Sequence, residues 1–484
     1  DDVHILEHHS NVIEDTDEDD ESEDGWLSVG QKLKLAKDNW DCPVILTTMV
    51  QFLNVFYAKG SRSVRRLHRL CESVIIFDEV QKVPVHCVSL FNRALNFLKI
   101  QGRSSLVLCT ATQPALDFVE HKLAIDSDGQ MIEQLDQVVD AFKRVDIVDR
   151  ATDETFDTGK IARFVEERLE QARSVLVILN TKSVVKKLYE HLRSIDIPVY
   201  HLSTSMCPYH RNDILQEIKD KLAREERVVC VSTQLIEAGV DVSFECVIRS
   251  LAGLDSIAQA AGRCNRHGKQ GVRPVYVIDH AEENLDKLPE IKAGKEIARK
   301  ILIDLKLNPN CHGGSILSSQ AMERYFQELY SKFEADLDYP VRSLGKSMID
   351  LLISDRKNNT YNRAYIEDTG EPLPLFALNS YRTAADHFEV IKDLTTSVIV
   401  PYGGGKEIIT QLNGDESIEG LAQLLRVAQQ YSVNLFRHEL RRLDRDGGLI
   451  SLLDGKVLAL MESAYNHEFG VDVDNDSGFD LAMH

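Results

Sequence analysis

Asp78 and Glu79 are adjacent carboxylates in Phe77-Asp78-Glu79-Val80-Gln81, directly after the apolar run Val74–Phe77. At a strand end such a pair suits metal–nucleotide chemistry. Asp78 can hold Mg²⁺ through water, and Glu79 can orient or deprotonate an attacking water. By itself the pair is as readily a solvated strand terminus. Thr110-Ala111-Thr112 closes another apolar run. Paired hydroxyls there can bond both a carboxylate and a neighbouring backbone, although threonine at a strand end is usually a turn residue. In Ser232-Thr233-Gln234-Leu235-Ile236-Glu237-Ala238-Gly239-Val240-Asp241 a strand runs into hydroxyls and a short helix. Hydroxyls and free amides at that helix start suit a nucleic-acid phosphate, and Gly239 allows close approach of the chain. In Gln259-Ala260-Ala261-Gly262-Arg263-Cys264-Asn265-Arg266 the two arginines are three apart and share a helix face. Two guanidinium groups there fit a polyphosphate on which charge develops during transfer. A solvated basic face is the bland alternative; the small residues at 260–262 weigh against it.

The elements that must position these residues are short buried strands alternating with amphipathic helices. The runs 43–48, 73–79 and 105–112 are apolar, end in polar residues and lead into helix-compatible sequence. That is the pattern of parallel strands whose C-terminal ends carry chemistry. The rhythm restarts at 174–181, 198–204, 227–233, 245–251 and 274–279, with helices fitting Ile161–Ala172 and Ser183–Arg193. Two α/β units joined near 145–160 follow. From about 282 the pattern turns helical, residues 358–405 are irregular, and 416–466 read as helical again. No short repeat period appears.

The 484 residues carry a formal net charge of -21, which at face value disfavours a nucleic-acid partner. Residues 1–24 account for most of it, with twelve acids and no Lys or Arg. Against the 56 bases of the chain, 65 of its 77 acids remain, so the rest is at -9 and can carry local basic surfaces. The stretch 14–24 is too acidic to pack and reads as a solvated loop. Nine cysteines are scattered singly, without a CxxC pair, as reduced core thiols of a cytoplasmic protein are. No apolar run approaches 18 residues, so no transmembrane helix is expected. There is no signal-peptide pattern.

In this order and spacing the four chemical segments resemble superfamily 2 helicases: motif II (Asp78–Gln81), motif III (Thr110–Thr112), motif V (Ser232–Asp241) and motif VI (Gln259–Arg266). Asp-Glu-Val-Gln in place of Asp-Glu-x-His is similar to the CRISPR-associated helicase–nuclease of type I interference systems, especially subtype I-C. The stretches at 7–11, 47–52, 66–70, 254–259, 381–385 and 398–403 share that flavour, so the resemblance covers nearly the whole chain. It implies an α/β fold of tandem RecA-like parallel-sheet domains plus a mostly helical C-terminal region. The first RecA-like domain would occupy 1–145, incomplete at its N-terminus and including the acidic loop 14–24. The second would occupy 146–284, a helical linker 285–357 and a C-terminal domain 358–484.

The resemblance also implies ATP and Mg²⁺ as cofactors. Asp78, Glu79, Gln81, Arg263 and Arg266 become catalytic, with Asp78 holding Mg²⁺ through water. Gln259, Gly239 and Asp241 bind the nucleotide. Thr110 and Thr112 couple the nucleotide to DNA. ATP would lie between the two domains, with Asp78 and Glu79 facing Arg263 and Arg266 across it. Thr47, Thr48 and Gln51 fall in the region called motif Ib and, with Ser232 and Thr233, would touch single-stranded DNA. Lys59, Arg62, Arg65, Arg66 and Arg69, five bases without an intervening acid, suit a phosphate backbone, against the alternative of a solvated helix face. Closure on ATP and opening after hydrolysis would move the domains 3′-to-5′ along displaced target DNA. The implied partner is the CRISPR RNA-guided surveillance complex (Cascade); no membrane is implied.

The chain departs from the family in two places. No Walker A loop, Gly-x4-Gly-Lys-Ser/Thr, precedes motif II. Gly345-Lys346-Ser347 has Pro340 where the first glycine belongs, and Gly403-Gly404-Gly405-Lys406 reads as a hairpin loop between strand-like runs at 397–400 and 407–410. No His is followed by Asp, so the HD nuclease signature is absent. Cys207…His210 and Cys264…His267 have metal-like spacing but are lone pairs. The expectation is a helicase portion that begins within the first RecA-like domain, with the isolated chain inactive toward ATP and its gene product active. A non-hydrolysing DNA- or partner-binding fragment, or another superfamily 2 DNA or RNA helicase, are the alternatives.

Overall fold

The computed structural model describes residues 5–8, 37–110, 112, 114–237, 239–269, 271–353, 359–391, 394–414 and 420–473. The acidic stretch 14–24 lies outside the described residues, as do Ala111 and Ala238. The chain forms two compact units: residues 1–133 with 326–392, and residues 134–325 with 393–484. Membership thus interleaves along the sequence, where a linear series of domains was expected.

In the first unit, β1 (Ile5–His8) pairs in parallel with β2 (Val44–Thr47), which leads into helix α1 (Met49–Tyr57). Strand β3 (Val74–Phe77) and β4 (Ser105–Leu108), with α2 (Val88–Ile100) between them, form a second parallel pair. Phe52, Phe77 and Phe91 meet edge-on at 4.8 and 5.1 Å, tying α1, β3 and α2 into one core. Val74 and Ile76 on β3 remain 70% and 65% exposed. The segment 326–392 belongs here for specific reasons. Leu337 O accepts from Ser89 N (3.3 Å), an amide in the first turn of α2 that lacks a helical partner. Phe388 packs on Tyr57 at 5.3 Å, and Asp338 pairs with His121 at 3.4 Å.

The second unit is built on a seven-stranded sheet from β5 (Val145–Asp149), β6 (Thr155–Phe156), β7 (Ser174–Ile178), β8 (Val199–Leu202), β9 (Val228–Ser232), β10 (Cys246–Ser250) and β11 (Arg273–His280). The order is β5-β11-β10-β7-β9-β8, with β6 beside β11 and every pairing parallel. Strands β7, β9 and β10 are buried along their whole length, as central parallel strands covered on both faces must be. Their alternation divides the core. Val175, Val177, Val229, Val231 and Ile248 pack with helices α3 (Thr158–Leu169) and α4 (Lys182–Leu192) on one face. Leu176, Ile178, Val228, Cys230 and Val247 pack with α5 (Pro208–Ala223) on the other. Helices α6 (Leu254–Ala261) and α7 (Pro289–Leu307) follow, the second in the expected helical stretch.

Residues 394–473 hold a surprise. The stretch 416–466, read as helical, holds helices at Leu421–Ala428 and Arg437–Arg445 but also three strands of a four-stranded sheet built from β12 (Thr395–Ile399), β13 (Ser432–Phe436), β14 (Leu449–Leu452) and β15 (Val457–Leu460) in the order β13-β12-β15-β14. The second strand-like run, 407–410, is not a strand either: Gly405–Leu412 is a helix, α8, so Gly403–Lys406 turns a strand into a helix and makes no hairpin. Ile408 and Leu412, one turn apart, are its buried face. Gly405 is obligatory, since a Cβ there would stand 2.2 Å from Val400 O. Helix α9 (Arg437–Arg445) follows β13. Ser347 of Gly345-Lys346-Ser347 caps the short helix Met348–Leu352.

All nine cysteines are free thiols. No helix among the described residues is long and apolar enough to cross a membrane.

Candidate functional site

In the first unit, motifs II and III adjoin because β3 and β4 are neighbours in register, Phe77 opposite Leu108. Asp78 is exposed just past β3, and its Oδ1 accepts from Glu79 N at 3.0 Å. Its other oxygen has no protein partner among the described residues. Glu79 adopts a left-handed backbone, φ 55° and ψ 44°, which non-glycine residues seldom hold without compensating contacts. Those contacts run in series. Gln81, buried, donates from Nε2 to Glu79 Oε2 and accepts at Oε1 from Thr110 Oγ1. The same hydroxyl lies 2.7 Å from Thr112 O and accepts from Thr112 N at 3.0 Å. Its single proton serves either Gln81 or Thr112 O at one time. Glutamine suits this place because its amide donates to a carboxylate at one end and accepts from a hydroxyl at the other.

In the second unit, motifs V and VI interlock. Arg263 is buried; its Nε donates to Ile236 O at 2.8 Å and its Nη2 to Glu237 O. The expected polyphosphate ligand is therefore a staple between the two motifs. Arg266 is the accessible member of the pair, in an ion pair with Asp241 at 2.8 Å. Gly239 has φ +71°, a left-handed turn that favours glycine. Gln259 is buried on α6. Ser232 is fully buried and its hydroxyl donates to Thr233 O at 2.8 Å; Thr233, nearly buried, donates its amide to Leu202 O at 3.1 Å. The Ser232 hydroxyl is therefore not open to a DNA phosphate, whereas the bonds of Thr233 engage only its backbone.

Sequence reasoning missed the polar network beneath these motifs. Arg249 on β10 pairs with Glu237 at 2.8 Å, both buried, and donates from Nη1 to Asn180 Oδ1 at 2.8 Å. Asn180 follows β7 and donates to Leu251 O at 3.1 Å and Glu283 Oε2 at 2.7 Å. Gln234 of motif V reaches the same Asn180 oxygen at 3.4 Å. A charge inside the otherwise apolar Cys246–Ser250 was a legible signal, because a fully buried arginine must be paired. Cys264, inside motif VI, is pushed by burial up to about 12, so it packs and does not act as a thiolate. Among the described residues no group of three or more His, Cys, Asp and Glu could hold a metal ion, and Cys207 and His210 are instead bonded to Tyr465.

The expected DNA-facing residues divide. Thr48 caps α1, accepting from Gln51 N at 3.3 Å, and Thr47 donates to His8 O at 2.9 Å; both are exposed. Arg62 and Arg65 are exposed. Arg66 is not: it is buried over the Trp40 ring and donates to Gln51 Oε1 and Asp38 O, both at 3.3 Å. That engages Gln51 as well. Lys59 and Arg69 are paired with Asp386 and Asp41.

Residues 171–269, from the start of β7 through motif VI, match the family described as CRISPR-associated nuclease/helicase Cas3, C-terminal. Over that stretch the chain is Cas3-like. The CRISPR-associated nuclease/helicase Cas3 of Haloferax volcanii is 47% identical over 95 residues, 18% of this chain and 10% of that protein. Cas3 of Streptococcus thermophilus is 25% identical over 296 residues, 54% of this chain and 32% of that protein. The chain thus spans a third or less of the length of these curated Cas3 relatives. Among solved structures, T. fusca Cas3-ATP is similar in fold, with a TM-score of 0.56 at 14% identity, covering 89% of this chain and 55% of that one. The fold is the tandem RecA-like one expected.

Proposed function

We propose that this chain is the helicase portion of a type I CRISPR interference protein. It translocates 3′-to-5′ on single-stranded DNA at the cost of ATP, in the cytoplasm, on target DNA displaced by an RNA-guided surveillance complex (Cascade). The observation that carries the proposal is the bonded series Glu79–Gln81–Thr110–Thr112. It joins a candidate general base to the loop after the next strand, so a change at the carboxylate is felt one strand away. The likeness to Cas3 proteins supports the CRISPR context, and the fold shared with an ATP-bound Cas3 supports the nucleotide.

Asp78 fits Mg²⁺ as a single carboxylate with one oxygen unengaged, since Mg²⁺ is commonly held by one or two carboxylates, waters and substrate phosphates. When bound, the ion would neutralise charge on the nucleotide phosphates. Glu79 takes the proton of the attacking water. Gln81 fixes the orientation of that carboxylate. Arg266 offers a guanidinium to the charge developing on the transferred phosphate. Arg263 positions motif VI against motif V. The exposed Thr47, Thr48, Arg62 and Arg65 take the DNA backbone.

The test is strand displacement by the full gene product on duplexes carrying a 3′ or a 5′ single-stranded tail. ATP-dependent displacement confined to the 3′-tailed substrate is expected. Equal displacement of both, or none with ATP present, contradicts the proposal. A second reading is favoured by one observation: no Gly-x4-Gly-Lys-Ser/Thr precedes Asp78. Under it these 484 residues bind DNA without hydrolysing ATP, and turnover by the purified chain at a helicase-like rate eliminates it.

A further inference from the structure

Helix α9 carries Arg437, Arg441 and Arg445 at successive turns, about 6 Å apart along its axis. Arg437, His438 and Arg441 are exposed and have no ion-pair or hydrogen-bond partner among the described residues. The one acid in the helix's first turn is turned away from them. Glu439 is buried, accepts from Phe436 N at 2.7 Å and pairs with Lys182 at 3.2 Å. Acids appear only at the far end, where Asp444 is exposed and Asp446 lies 3.4 Å from Arg445. Beside the basic row stands an aromatic platform: Phe436, 43% exposed, stacks on His438 with centroids 5.7 Å apart.

Helix stability does not account for this arrangement. Arg437 and His438 occupy the first turn, where a cation opposes the helix dipole. In a chain of net charge -21, unpaired arginines facing solvent beside an exposed aromatic ring match a polyanion with stacking bases. We propose that the exposed face of α9, with Phe436 and His438, binds single-stranded nucleic acid: the arginines take successive phosphates and the Phe436–His438 pair stacks a base. This deepens the DNA-binding part of the proposed function and is independent of hydrolysis.

The test is binding of a labelled oligo-dT of about 20 nucleotides to the full chain without ATP, followed by anisotropy across a salt series. Arg437→Glu with Arg441→Glu is expected to weaken binding ~10-fold or more at low salt. It should also flatten the slope of log K against log salt by roughly 1.4, for two lost phosphates. Phe436→Ala weakens binding with the slope unchanged. The same charge reversal at Lys219 and Lys287, exposed elsewhere in the second unit, leaves binding near wild type. Arg437→Ala with Arg441→Ala, checked for an unchanged melting temperature, shows the same slope loss without reversed charge. Wild-type affinity and slope in the arginine variants overturn the proposal, as does an equal loss in the lysine control. Glu79→Gln leaves this binding intact, so failure here is distinguishable from failure of the ATPase reading.

Discussion

At the scale of single residues, the left-handed backbone of Glu79 is held by side-chain bonds to Gln81 and through it to Thr110. Gln81→Ala leaves Glu79 present but unoriented and cut off from Thr110, so ATP turnover without DNA should fall and its stimulation by DNA should fall ~10-fold or more besides. Comparing the two rates on one preparation checks this. The arginines of motif VI should separate in the same way. Arg263→Ala strands two buried carbonyls and costs about 2–4 kcal/mol in denaturant unfolding. Arg266→Ala, at an exposed ion pair, changes stability by about 0.5 kcal/mol or less yet lowers turnover ~1,000-fold. The carboxylates and the arginine pair were legible in sequence because chemistry fixes their types and spacing. The burial of Arg263, Arg66 and Ser232 was not, because a residue's type does not say whether backbone carbonyls or an aromatic ring will face it.

At the scale of elements, most strands of both α/β units were legible from apolar runs that end in polar residues, and β7 through β11 fall where those runs predicted, whereas β5 and β6 lie in the stretch 145–160 read as the junction between the units. The C-terminal sheet was not. Its strands are four or five residues long, half-exposed, and interleaved with strongly amphipathic helices such as α9, so helical periodicity dominates the local pattern. Gly403–Lys406 misled for a related reason: glycines that permit a tight strand-to-helix turn look like those of a hairpin. Gly405→Ala should destabilise the second unit by about 2–3 kcal/mol in urea melts, since its Cβ collides with the Val400 carbonyl. Within that unit the C-terminal sheet is locked to α5 through His210, stacked on Tyr402 at 4.0 Å and bonded to Tyr465 OH at 2.8 Å and His467 O at 3.0 Å. Burial lowers His210 to about 4 and the nearby His201 to about 3. Both are held neutral in the fold and bind a proton more readily unfolded. Above about pH 6.5 they add no pH dependence, and as pH falls from there to about 4 stability is lost, by about 1.4 kcal/mol per unit for each group. Melts from pH 7 to 4 should show this loss, and His210→Phe should make it shallower.

At the scale of the whole molecule, two α/β units were legible because the strand rhythm restarts at residue 174. The assignment of 326–392 to the first unit was not. It depends on Leu337, Asp338 and Phe388 meeting Ser89, His121 and Tyr57, pairings that local pattern does not encode. The net charge of -21 says little about partners once divided: twelve acids fall in residues 1–24, while α9 and the segment 59–69 gather arginines. Binding to single-stranded DNA should therefore be steeply salt-dependent despite the acidic total, losing ~10-fold or more between about 50 and 200 mM salt. In the proposed function Glu79 drives a DNA-coupled ATPase. Its most direct measurement is phosphate release by the full gene product, with and without single-stranded DNA, for wild type and Glu79→Gln. Hydrolysis is expected to be stimulated by DNA in the wild type and reduced ~100-fold or more in the variant, with DNA binding unchanged. Full turnover in Glu79→Gln, or hydrolysis indifferent to DNA, would contradict it.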